Sequence, residues 1–121
     1  VTKDELRAEW AAFHDSVDTE QVAAKDSQGA LLRLFERYRR LSAPEREIVD
    51  ELISQDVTSS DETRRFDAVA LIGEFRILSA VPALRVLADR LESDAAPGAP
   101  FEWAKINRVI GELPTGGQQT R

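Results

Sequence analysis

From Arg64 to Leu91 the chain reads RRFDAVALIGEFRILSAVPALRVLADRL, and its apolar residues fall into two stripes of helical period. Phe66, Val69, Ala70, Ile72 and Gly73 recur at three- and four-residue spacing, as do Val81, Leu84, Leu87, Ala88 and Leu91. Each stripe predicts one amphipathic helix, with a break near Arg76–Ala80. Pro82 marks the start of the second, because only a first helical turn has no N–H bond for proline to remove. Two helices joined by so short a link are expected to lie antiparallel at the centre of the fold. Phe66 and Leu84 should then be buried where they meet.

The same pattern returns on both sides. Ile110-Gly111-Glu112-Leu113 follows Ile72-Gly73-Glu74-Phe75 by 38 positions, and Pro82, Leu87 and Leu91 follow Pro44, Val49 and Ile53 by the same shift. A fixed period of this size is the mark of a helical solenoid, in which each repeat packs on its neighbours. The central run, with A-x-x-x-L/I-G in its first helix and V-P-A-L opening its second, resembles a HEAT or HEAT-like repeat. The resemblance implies an all-α fold, a short α-α superhelix of about six helices. It also implies a protein-interaction scaffold, with no catalytic residues to carry over. Gly73 and Gly111 recur where the first copy has Phe35, a position at which glycine allows close helix approach.

Along the chain, Thr2-Lys3-Asp4-Glu5 is a capping box opening a helix over about residues 3–15, with Leu6, Trp10 and Phe13 on its apolar side. Residues 16–26 read as a polar linker, with one short helix over Thr19–Lys25 as the alternative. Residues 1–26 thus form a capping helix and linker, and 27–113 the repeat domain. A second helix, about 27–41, buries Leu31, Leu34, Phe35, Tyr38 and Leu41. Ser42-Ala43-Pro44-Glu45 caps a third, which buries Ile48, Val49, Leu52 and Ile53. Ser59 or Ser60 is expected to cap the fourth. The prolines and glycine of ESDAAPGAP form a loop, and a sixth helix over about 100–113 carries Trp103, Ile106, Ile110 and Leu113 on one side. Residues 114–121 have no packing residues and are expected to be mobile.

Composition narrows the function. The chain has 121 residues, 42% of them hydrophobic, and can bury about two-thirds of its unfolded surface as one domain. No apolar run reaches the length of a membrane span and no secretion signal opens the sequence, so no membrane is expected. The absence of cysteine excludes disulfides and thiolate metal sites and is compatible with the cytoplasm, the expected location. Abundant arginine and alanine suggest a bacterial source. Net charge is −6, and residues 1–30 carry seven acidic against three basic side chains. That balance is the reverse of a phosphate-binding footprint and argues against nucleic acid.

Candidate chemistry is sparse. His14, the one histidine, reads as a surface or edge residue rather than a catalytic one, and no metal-ligand spacing surrounds it. Gly116-Gly117 lies outside any phosphate-loop context. Glu36, Glu74 and Glu112 recur at the repeat period and read as a solvated ladder. Asn107 reads as an exposed amide. No cofactor, metal or catalytic group is expected, and the chain is not expected to be an enzyme.

What remains is a small interaction module, of which a toxin-neutralising immunity protein or a regulatory partner would be instances. The alternatives are a nucleic-acid binder using the Arg33, Arg37 and Arg40 face of the second helix, or an accessory subunit of an enzyme. In a solenoid the second helices of successive repeats line one surface. The partner site is therefore expected at Glu47, Asp50 and Glu51 with Arg85 and Asp89. There Glu51 and Asp89 would stand side by side without a cation and favour a partner with a basic surface.

Overall fold

The computed structural model describes residues 2–24 and 27–113. Lys25 and Asp26 of the expected linker, and the tail 114–121, lie outside the described residues. Among those described there is no strand. Six α-helices follow in order: α1 (Lys3–Ala24), α2 (Ser27–Arg39), α3 (Ala43–Val57), α4 (Glu62–Phe75), α5 (Val81–Glu92) and α6 (Ala99–Glu112). A 3-10 turn over Leu78–Ala80 precedes α5.

Local chemistry explains most of the helix starts. Glu5 N–H donates to Thr2 Oγ1 at 3.1 Å while Thr2 N–H donates to Glu5 Oε1 at 3.3 Å. Ser42 and Glu45 repeat the exchange at 3.3 and 2.7 Å, which holds the Glu45 carboxyl below its ordinary pKa. At α4 the cap is Asp61, not Ser59 or Ser60. Its Oδ1 accepts from Thr63 N–H at 2.9 Å and Arg64 N–H at 3.4 Å. A carboxylate also meets the positive end of the helix dipole, an advantage the serines lack. Pro82 sits in the first turn of α5, as its chemistry requires, and Arg76 closes α4 in the left-handed region at φ 54°.

The first helix is longer than its pattern predicts. Residues 16–24 contain no glycine or proline, and α1 runs through them to Ala24. Val17 continues the stripe of Leu6, Trp10 and His14 and is buried with them. His14 is accordingly not an edge residue: it is 1% exposed, in mid-helix.

Contacts divide the chain into two compact units, residues 1–52 and 53–121, and the last turn of α3 belongs to the second. In the first unit α2 packs on α1. The Trp10 ring meets Tyr38 edge-on at 6.5 Å, and Leu6, Ala30 and Leu34 are buried.

In the second unit α6 takes the central place. It is the main neighbour of α5 and also packs on α4, whereas α4 and α5 were expected to be the principal pair. The turn over residues 93–98 folds α6 back on α5, so the buried stripe Leu84, Leu87, Ala88 and Leu91 is covered from that side. On α6 the buried residues are Ala99, Ile106 and Val109, followed by Leu113; Trp103 is partly exposed. Gly73 faces Val109, but an added Cβ would sit 3.8 Å from its methyls, an ordinary contact. Gly111 has open space around it. Neither glycine is therefore a steric requirement.

Leu84 is fully buried, but Phe66 is 44% exposed. Leu84→Ala should lower stability by about 2–5 kcal/mol, while Phe66→Ala should lower it by less than about 1 kcal/mol. Chemical denaturation of the two variants checks this. Equal losses would return Phe66 to the core.

Candidate functional site

Residues Ala68, Leu71 and Ile72 form the buried face of α4, together with Asp67 and Val69. The next face round the helix carries Glu62, Arg65 and Phe66 at the spacing of one turn, with Val69 at the boundary. Across from it α6 presents Phe101, Glu102, Lys105 and Ile106, and the two rows line a groove of about 310 Å³. The pairing runs in the same direction along both helices: Arg65 meets Glu102, Phe66 meets Lys105 and Gly73 meets Val109.

Two cross-helix bridges organise the groove. Arg65 Nε donates to Glu102 Oε2 at 2.7 Å and Nη2 to Oε1 at 3.1 Å, a two-armed carboxylate pair. Its Nη1 donates to the Ser59 carbonyl at 3.0 Å, tying the α3–α4 loop to the same guanidinium. The hydrogen bonding to Glu102 is the chief reason that the Arg65 pKa is raised. One turn on, the Lys105 ammonium lies 3.9 Å from the centre of the Phe66 ring. Burial, and then the charge of Arg108, push the Lys105 pKa below its ordinary value. Phe101 stands 80% exposed at the mouth. A second recess of about 270 Å³, lined in part by Glu62, Asp94 and Glu102, adjoins the first around Arg65. The groove therefore runs from Glu62 and the Arg65–Glu102 pair, past Phe66 with Lys105, to Val69 and Ile106.

Of the residues expected to meet a partner, Glu47, Glu51, Arg85 and Asp89 are exposed as expected, and Asp50 is not. Glu47 is exposed on α3. Asp50 is not an outward group: it is half-buried, and its Oδ1 accepts from the Tyr38 hydroxyl at 2.7 Å. Glu51 has a cation of its own, since Arg7 Nη2 reaches its Oε1 at 3.1 Å. The reason is that α1, through Arg7, packs in the same unit. Arg85 and Asp89 are exposed on α5, in the other unit. The expected need for a basic partner at Glu51 thus loses its premise.

Arg33 and Arg37 on α2, and Arg40 in the turn just after it, are exposed. Arg37 lies 4.9 Å from the Phe13 ring centre and Arg40 reaches Glu36 at 2.7 Å. The face is partnered within the fold. His14 Nε2 lies 3.5 Å from Asp18 Oδ2, one helical turn away. Asn107 is exposed and donates to the Trp103 carbonyl at 3.0 Å. The groove itself escaped the sequence pattern, because Phe66 and Val69 share a helical period with the core residues beside them.

No protein-family model, no curated protein and no solved structure matches the chain. Among the described residues no helix is long and apolar enough to cross a membrane.

The Tyr38–Asp50 pair gives a pH test. Burial raises the Asp50 pKa, outweighing the Tyr38 hydroxyl and Arg46, which lower it. The fold therefore holds the Asp50 proton more tightly than the unfolded chain does. The stability it contributes is full below the ordinary value of 3.8 and is lost as pH rises through the folded value. Asp50→Asn keeps Oδ1 for the hydroxyl and should remove that falling limb. Denaturation across the acid range should show the variant gaining on wild type as pH rises; a constant difference would contradict the assignment.

Proposed function

We propose that the chain is a small non-catalytic protein-interaction module, a short α-α superhelix of HEAT-like repeats, and that it meets its partner at the α4–α6 groove. A single observation carries the location: Phe66 and Phe101 stay exposed in one preformed groove. Exposed aromatic surface gathered in a concave site is the usual signature of a binding surface rather than of a solvated one. The repeat reading is supported by the 38-residue register and by the parallel pairing of α4 with α6, which first helices of successive repeats would share. An immunity protein or a regulatory partner would use such a module, and the lack of cysteine suits the cytoplasm.

A photo-reactive benzoyl-phenylalanine in place of Phe101, introduced in the native host, should give a defined crosslinked protein on irradiation. Phe66→Ser in the same chain should weaken that product. Crosslinks from position 47 or 89 with none from 101 would move the partner off the groove, to the exposed face of α3 around Glu47 or of α5 around Asp89.

A further inference from the structure

Covering this groove has an electrostatic consequence that selects the partner. An apolar group laid against Phe66 and Phe101 also covers Lys105, whose ammonium rests on the Phe66 ring. Among the described residues no carboxylate lies within ion-pair reach of Lys105, and its near neighbour Arg108 has the same sign. Taking an ammonium out of water without an anion is unfavourable, and an aromatic face offsets only part of the loss. Arg65 presents no such need, because both arms already hold Glu102. An occupant must therefore bring its own carboxylate to the Lys105 end. It must also bring its own backbone pairing: the groove is walled by two helices, with no strand edge among the described residues to receive an extended peptide. A helix satisfies its backbone internally and presents apolar anchors one turn apart.

Resting on the docking role proposed above, we infer that the α4–α6 groove receives an amphipathic helix of a partner protein, with apolar anchors between Phe66 and Phe101 and an Asp or Glu paired with Lys105. Glu62 and Asp94 at the other end make the opposite polarity of insertion unfavourable, so the charge also sets the direction of the bound helix.

The test is selection from a displayed library of helical peptides that keep apolar residues one turn apart and vary the flanking positions. Wild-type protein should enrich Asp and Glu beside the anchors. Lys105→Glu should enrich Lys and Arg there instead, and peptides chosen by wild type should bind this variant at least about tenfold more weakly. Phe101→Ser should lose both sets; its exposed position should leave the fold intact, which circular dichroism checks. Binders without charge preference that still depend on Phe101 would overturn the acidic anchor while leaving the docking role standing. Failure to select any Phe101-dependent helix would overturn the inference outright. So would a sedimentation experiment showing a dimer that Phe101→Ser dissociates, since a second copy would then fill the groove.

Discussion

The Arg65–Glu102 pair is the interaction on which the second unit's surface depends. It joins α4 to α6 through two charge-assisted bonds of 2.7 and 3.1 Å, and both side chains are largely withdrawn from solvent. Such a fork fixes orientation as well as distance, and salt screens it weakly at this depth. The same guanidinium holds the Ser59 carbonyl, and Arg90 holds the Thr58 carbonyl at 3.3 Å. The loop between α3 and α4 is thus tied down next to the mouth of the groove. One turn further along, the cross-helix bridge is of a different kind, an ammonium on an aromatic ring. The first bridge is complete in itself; the second leaves a positive charge able to accept a better partner.

This asymmetry explains why the groove can be both open and ordered. Side chains already held by cross-helix bonds lose little freedom when a ligand arrives, which lowers the entropic penalty of binding. Exposed Phe66 and Phe101 retain the apolar area that drives association. Elsewhere, two acidic side chains expected to face a partner are held within the fold. Asp50 is bound to Tyr38 and Glu51 to Arg7, so the first unit's charges serve its own packing.

Much of the backbone plan could be read from residue order alone. Both capping boxes, the proline-marked start of α5 and the break at Arg76 depend on neighbours within a turn, and each formed where its local chemistry required. Leu84 was legible because its whole stripe is buried. Phe66 was not, since α4 has two adjacent apolar faces, one against the core and one along α6, and a helical period cannot separate them. The cap of α4 was expected at Ser59 or Ser60, but the Asp61 carboxylate, nearest the helix, takes the free N–H groups. The second half of α1 was hidden because over residues 15–19 Val17 is the one apolar residue to mark its buried side. Asp50 was misplaced because its environment is made by Tyr38 of another helix, and His14 because α1 runs on past residue 15 and puts it in mid-helix.

A double-mutant cycle on Arg65→Met and Glu102→Gln, read by denaturation at neutral pH, tests the preset groove most directly. The two-armed geometry predicts a coupling of about 1.5–3 kcal/mol between the two changes, one that survives added salt. Strictly additive losses, with coupling near zero, would mean that nothing holds α4 and α6 in this relation and that the groove is not preformed.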